Sequence, residues 1–244
     1  TKIGHITLNS PETLNSLTLN MVNEISKLLD KWEADPQIKM IILDGSGDKA
    51  FCAGGDIRAL YESMCSADGP IFAETFFESE YRLDYKLHNF PKPIISIIDG
   101  IVMGGGAGLM FGSSFNISTE RTKFAMPEIG VGLFPDVGFT SVIKDLPEGL
   151  GLYIMLTSTQ LNAADTLFCN LTDCSLSSED LEKFFQEIQE IEWKDMKKDN
   201  LKILKSIVHQ DGYTNKLNNF PKSKLKDELS NIQSLTCLLY TSPS

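Results

Sequence analysis

Pro93-Ile-Ile-Ser-Ile-Ile-Asp-Gly-Ile-Val-Met-Gly-Gly-Gly-Ala-Gly-Leu-Met-Phe111 decides the fold, together with the segment that ends in Phe134-Pro135-Asp136. Pro93 to Ile98 is a short, continuous apolar run and predicts a buried strand. Gly104-Gly105-Gly106-Ala107-Gly108 follows, where the missing side chains let another group approach the backbone N–H groups closely. Leu109-Met110-Phe111 then predicts a helix. A strand, a glycine turn and a helix N-terminus leave unpaired N–H groups at a positive dipole end. Such a place holds an oxyanion or a phosphate. Met126-Pro127-Glu128 and Phe134-Pro135-Asp136 add two carboxylates in apolar surroundings. Donors for negative charge with carboxylates close along the chain point to acyl chemistry.

Working outward, Ile3 to Leu8 alternates as a strand does, and Asn9 to Ser16 is rich in turn residues. Thr18 is placed to cap a helix on which Met21, Ile25, Leu28, Leu29 and Trp32 fall at helical spacing. Asp35-Pro36 ends it, and Lys39 to Asp44 predicts a second strand. Phe51-Cys-Ala-Gly-Gly-Asp-Ile57 repeats the central logic, a small-residue turn into a helix whose first residues include Asp56. Taken alone, that turn reads as a good N-cap. Ile71 to Leu87 predicts a long amphipathic helix with Phe72, Phe76, Tyr81 and Leu83 as apolar positions. Glu80 on that helix reads as a solvated carboxylate, the usual fate of glutamate. Phe115 to Ser118 and Lys123 to Ala125 are short strands, helices are expected around Val137 to Lys144 and Glu148 to Leu156, and Asn162 opens another.

Strands and helices alternate through residue 125, which argues an α/β class. From Ser177 the pattern becomes charged and helical, with Leu181, Phe184, Phe185, Ile188 and Ile191 on one face. The expected division is a core over residues 1–175 and a helical C-terminal region over 176–244. The chain begins at Thr1 inside an apparent strand and ends in Cys237-Leu-Leu-Tyr-Thr-Ser-Pro-Ser244, which carries no pattern continuing the preceding helix. It therefore reads as a piece of a longer protein, incomplete in its helical region.

A net charge of -11 argues against nucleic acid as a partner, and no apolar run is long enough for a membrane span. Cys52, Cys65, Cys169, Cys174 and Cys237 are odd in number and scattered, as reduced thiols are. With His5, His88 and His209 the only histidines, no zinc spacing exists, and no metal is expected. Neither glycine turn carries Gly-x4-Gly-Lys-Ser/Thr. Leu109 stands where the third glycine of a dinucleotide fingerprint counted from Gly104 would fall. Two N–H groups from two turns, converging on one carbonyl oxygen, would instead make an oxyanion hole.

Ala53-Gly54-Gly55-Asp56-Ile57, Asp99-Gly-x-x-x-Gly104-Gly105-Gly106 and Met126-Pro127-Glu128 resemble the signatures of the crotonase (enoyl-CoA hydratase/isomerase) superfamily, over about Ile3 to Leu167. The resemblance implies a spiral of repeated β-β-α units with a peripheral helical C-terminal region, and an acyl-CoA thioester as substrate. It implies that the backbone N–H groups of Gly55 and Gly105 polarise the thioester carbonyl. No cofactor is implied beyond the CoA of the substrate, and a homo-oligomer is left open. A bacterial cytoplasm and a mitochondrial matrix both suit.

Hydratases of that superfamily carry glutamate at the position of Gly108, paired with one matching Glu128; here Gly108 has no side chain, so the two-glutamate addition of water is not expected. Asp136 follows Glu128 by eight residues, and Glu128-Ile-Gly-Val-Gly-Leu-Phe-Pro-Asp136 resembles the 3-hydroxyisobutyryl-CoA hydrolase family, as do Phe76-Phe-x-x-Glu80-Tyr81 and Phe124-Ala-Met-Pro-Glu128. That resemblance implies Glu128 and Asp136 as the catalytic pair, Glu80 as an acidic substrate contact and Gly105 as an oxyanion glycine. Glu128 acts as nucleophile or as general base; Asp136 holds the 3-hydroxyl or helps protonate the leaving thiolate. Read without the family, Asp136 is equally a helix N-cap ahead of Val137-Gly138. The alternatives are an isomerase or hydratase of the same fold and a non-catalytic binding member of it.

Overall fold

A computed structural model describes residues 2–66, 68–209, 213 and 220–241. Strand β1 (Ile3–Leu8) leads to helix α1 (Leu19–Ala34), then β2 (Met40–Gly45) and β3 (Ala50–Cys52). Helices α2 (Ile57–Ser63) and α3 (Gly69–His88) precede β4 (Ile94–Ile98), β5 (Ile101–Met103) and α4 (Gly105–Gly112). Next come β6 (Phe115–Ser118), β7 (Lys123–Ala125), α5 (Phe139–Val142), α6 (Leu150–Thr157), β8 (Leu161–Asn162), α7 (Ala163–Phe168) and β9 (Cys174–Ser175). Helices α8 (Leu181–Glu190), α9 (Lys197–Val208) and α10 (Lys224–Thr241) follow among the described residues.

The strands form two sheets. One has the order β1-β2-β4-β6-β9 and is parallel throughout; the other has the order β3-β5-β7-β8, with β8 antiparallel. Each successive pair, β2 with β3, β4 with β5, β6 with β7, gives one strand to each sheet before the chain turns back through helix. This is the repeated β-β-α spiral expected above.

Both faces of the larger sheet are covered, which is why its strands read as apolar runs without alternation. Ile41, Leu43, Ile94 and Ile98 join one buried cluster with Val22, Ile25 and Leu29 of α1 and Phe76, Leu83 and Leu87 of α3. Met40, Ile42, Ile95, Ile97, Phe115 and Ile117 join another with Phe184, Ile188, Leu204 and Val208 of α8 and α9. Helix α10 returns to the first cluster through Leu225 and Ile232. It continues through Thr241, past the point where the sequence pattern predicts its end. Ser242 to Ser244 lie outside the described residues.

Thr18 caps α1 as expected, its Oγ1 accepting from the Met21 N–H. On that helix Val22, with Ile25 and Leu29, is buried, while Met21, Leu28 and Trp32 are only partly so. The glycine turn follows β5 rather than the strand at Ile94–Ile98, so one extra short strand separates them. The helix expected over Val137 to Lys144 shrinks to α5 and a 3-10 turn at Ile143–Asp145. Val137 (φ 41°) and Gly138 (φ 83°) both lie in the left-handed region and cannot open a helix. Between β3 and β5 the register shifts: Ala50 pairs with Ile101, but Cys52 with Val102.

Candidate active site

The parallel strands β3, β5 and β7 end on the same side, and each runs into a turn named in the sequence: Ala53-Gly54-Gly55, Gly104-Gly105 and Met126-Pro127-Glu128. Gly54 (φ 105°) and Gly104 (φ 49°) take dihedrals that favour glycine. Gly55 bridges to Leu17, but the bonds are made by its neighbours. Leu17 N–H donates to the Gly54 carbonyl at 2.7 Å, and Asp56 N–H to the Leu17 carbonyl at 2.9 Å. The Gly55 N–H stays outside that ladder. Gly105 is the first residue of α4, where an N–H has no acceptor within the helix. The two groups are adjacent: a Cβ built on Gly105 would sit 3.3 Å from the Gly55 nitrogen.

Three carboxyl groups share a cavity with these donors, and a fourth stands beside Gly108. Glu80 is 3% exposed, against the solvated reading of its sequence. Its Oε1 lies 2.1 Å from where a Gly105 Cβ would be. Phe76, Glu80, Leu83 and Leu87 form one buried stripe of α3, so the helical period carries Glu80 inward with its apolar neighbours. Glu128 opens a 3-10 turn and is 7% exposed, with Oε2 lacking a hydrogen-bond partner among the described residues. Its Oε1 lies 3.0 Å from the place of a Gly104 Cβ.

Asp136 is no side-chain cap: the N-cap of α5 is Gly138. Its Oδ2 instead accepts from the Tyr81 hydroxyl at 2.5 Å. The next residue, Val137, holds a positive φ that costs a β-branched residue about 1–3 kcal/mol, a strain of the kind that collects at functional sites. Gly55, Gly105, Glu80, Glu128 and Asp136 all line one cavity of about 530 Å³, walled by Phe76, Phe77, Leu60 and Leu133. That size suits a small-molecule pocket.

The fourth carboxyl, Asp84, and the partner hydroxyl of Tyr81 escaped the sequence reading, which took Tyr81 as apolar although it is 43% exposed. Asp84 stands four residues after Glu80, hence on the same helical face. That spacing identifies Asp84 only once Glu80 is known to point inward.

Burial first, and then the charges of Asp136 and Glu128, push Glu80 up to about 8. Burial, with a smaller contribution from Asp136, pushes Glu128 up to about 7. A carboxyl whose folded pKa is raised holds a proton that the unfolded chain has released. Its contribution to stability is complete below the unfolded value and is lost as pH rises through the folded one. Glu80→Gln keeps the neutral shape and removes this loss. The variant should therefore melt higher than the parent, by an amount that grows between about pH 5 and pH 8 and exceeds about 1 kcal/mol at the upper end. Thermal melts across that range check it; a gap independent of pH would mean that Glu80 is ionised in the fold.

The profile of the enoyl-CoA hydratase/isomerase family matches residues 3–238, and the chain belongs to that family. Among curated relatives, the mitochondrial 3-hydroxyisobutyryl-CoA hydrolase of Danio rerio is 42% identical over 190 residues, covering 78% of this chain and 49% of that protein. The one from Homo sapiens is 43% identical over 178 residues, covering 73% and 46%. The chain thus spans about half the length of the curated relatives it matches. Among solved structures, a carnitinyl-CoA dehydratase from Mycobacterium thermoresistibile superposes with a TM-score of 0.79 at 34% identity, covering 100% of this chain and 65% of that one. An enoyl-CoA hydratase from Rhodobacter sphaeroides gives 0.81 at 29%, covering 100% and 68%. Among the described residues, no helix is long and apolar enough to cross a membrane, and no group of His, Cys, Asp and Glu could hold a metal ion.

Proposed function

We propose that the chain is the acyl-CoA-binding part of a 3-hydroxyisobutyryl-CoA hydrolase, which converts a short 3-hydroxyacyl-CoA thioester to the free acid and CoA. The observation that carries this reading is the meeting of Glu128 and Asp136 with the Gly55 and Gly105 N–H groups in one cavity, beside a Gly108 that brings no carboxylate of its own.

In this mechanism the two N–H groups hold the thioester oxygen and stabilise the negative charge that develops on it. Glu128 attacks the carbonyl carbon directly, or takes a proton from the water that does; both routes need its ionised form. In the general-base route the C–O bond to the water oxygen forms, the C–S bond breaks, and the proton taken by Glu128 passes to the departing thiolate. In the direct route the C–S bond breaks to leave an acyl–Glu128 anhydride. A water then hydrolyses it to the free acid, restores the Glu128 carboxylate and supplies the thiolate's proton. Asp136, oriented by Tyr81, accepts from the 3-hydroxyl or helps deliver that proton. Glu80, neutral at pH 7 because of its burial, contacts the substrate as a donor next to Gly105.

Residues 1–175 serve as this core and 176–244 as a peripheral helical region that is free to take part in a homo-oligomer. Neither nucleic acid nor membrane is a partner. The relatives' names place those proteins in mitochondria; the matrix is the compartment proposed for a eukaryotic source and the cytoplasm for a bacterial one.

A second reading, a hydratase with a relocated carboxylate, is favoured by Asp84, whose oxygens lie beside Gly108. Thiol release from 3-hydroxyisobutyryl-CoA, measured beside hydration of crotonyl-CoA, separates the two. Thiol release should be the faster, and faster hydration would overturn the hydrolase assignment.

A further inference from the structure

The proposed mechanism leaves Asp84 without a task. Both of its carboxyl oxygens are closed off from solvent and lack a hydrogen-bond partner among the described residues. A buried polar group left unpaired is costly, so this carboxyl is built for a partner that the fold itself does not supply. Its position is specific. A Cβ on Gly108 would lie 2.8 Å from Oδ1, 2.8 Å from Oδ2 and 2.8 Å from the Val137 Cβ. The carboxyl therefore occupies the volume that a side chain at position 108 would take, and it can be there only because that position is glycine.

Gly108 follows Gly105 by three residues in α4, on the same helical face and roughly 5–6 Å away. An acyl chain whose carbonyl oxygen is held at the Gly105 N–H and that runs along α4 toward Gly108 would carry its 3-carbon toward the Asp84 carboxyl. There is also room. Asp84, Gly108 and Val137 line a second cavity of about 570 Å³, and Asp136 lines both this one and the cavity of the glycine turns.

We infer that Asp84 is a specificity-determining residue that hydrogen-bonds the 3-hydroxyl of the acyl group jointly with Asp136. The inference rests on the hydrolase reading above. A hydroxyl offers one donor and two acceptor sites. Asp136, with Oδ2 already engaged by Tyr81, accepts the hydroxyl proton. Asp84 donates to the hydroxyl oxygen. Burial first, and then the charges of Glu80 and Asp136, hold Asp84 well above the usual carboxylate range, which favours its donor form.

The test is the ratio of kcat/KM on 3-hydroxyisobutyryl-CoA to kcat/KM on isobutyryl-CoA, which lacks only the hydroxyl. For the full chain carrying Asp84→Leu, this ratio should fall at least about tenfold, the worth of one buried hydrogen bond. Asp84→Ala gives the same readout if the leucine variant does not fold. Asp84→Asn keeps a donor of similar shape and should hold the ratio within about threefold of the parent. Equal losses on both substrates, or an asparagine variant as impaired in the ratio as the leucine one, overturn the inference. A parent chain that hydrates crotonyl-CoA and releases no thiol from 3-hydroxyisobutyryl-CoA overturns the hydrolase reading instead, and with it this assignment.

Discussion

Glu128→Gln should lower turnover of 3-hydroxyisobutyryl-CoA by at least ~10²-fold, the lower range for loss of a general base, while the fold stays intact. The amide keeps the size of the side chain and its buried seat beside Gly104, but can neither attack a carbonyl nor take a proton from water. Because Glu128 is pushed up to about 7 by burial and must be ionised to act, the parent's rate should rise with pH through about 7. It should fall again above about 8 as Glu80 loses the proton it donates to the substrate. The residual rate of Glu128→Gln should lack the rising limb, since amides do not titrate. Steady-state kinetics from about pH 5.5 to pH 8.5, with melting curves on the same samples, check both parts. Near-parental turnover of a folded Glu128→Gln protein would falsify the mechanism, whichever form of attack it uses.

The second large effect is expected at Gly105. A methyl group there would stand 2.1 Å from Glu80 Oε1 and 3.3 Å from the Gly55 nitrogen. The Glu80 carboxyl is the end of a flexible side chain and can swing away, so Gly105→Ala should fold. The methyl nonetheless occupies the space between the two N–H donors, where the thioester oxygen is proposed to sit. Loss of one such donor costs about 10²–10³-fold in kcat, and blocking the shared space should cost no less. Gly106→Ala is the contrast. There a Cβ would meet the Cys52 backbone carbonyl at 2.2 Å, so that change should damage the fold itself and show in the melting temperature. Turnover near parental for Gly105→Ala would remove the oxyanion role from this turn.

Much of this architecture is legible in the sequence, for identifiable reasons. The strands at Ile3–Leu8, Ile94–Ile98 and Phe115–Ser118 stand out because burial on one or both faces demands apolar runs. Strands β3 and β5 do not, being three residues each and fused to the glycine turns that follow; no period shows in so short a run. The helix after Asp136 is over-read because apolar content says nothing about dihedrals, and two successive positive φ values delay its start. At the site, Glu128, Asp136 and the glycines are marked by local pattern. Glu80 is marked too, had the stripe of Phe76, Leu83 and Leu87 outweighed the general preference of glutamate for water. The bond from Tyr81 to Asp136 joins residues 55 positions apart, and the contact of Asp84 with Gly108 joins α3 to α4. Such pairings belong to the packing of helices across the spiral and leave no trace in a local window.

The shifted register between β3 and β5 acts as a vernier. Before the shift the pairing is Ala50 with Ile101, an offset of 51 positions; after it, Cys52 with Val102, an offset of 50. Carried three residues further at that offset, Gly54 comes level with Gly104 and Gly55 level with Gly105, as the 3.3 Å approach to the Gly55 nitrogen indicates. Had the strands kept their first offset, Gly55 would face Gly106, whose N–H points one step further around the helix. One supernumerary residue in a three-residue strand thus indexes two distant turns to each other. Neighbouring strands lie about 4.8 Å apart, a spacing set by the backbone and not by the side chains around the pocket. The carboxyls that arrive from α3 and from the loop after β7 are free to vary around this fixed gauge.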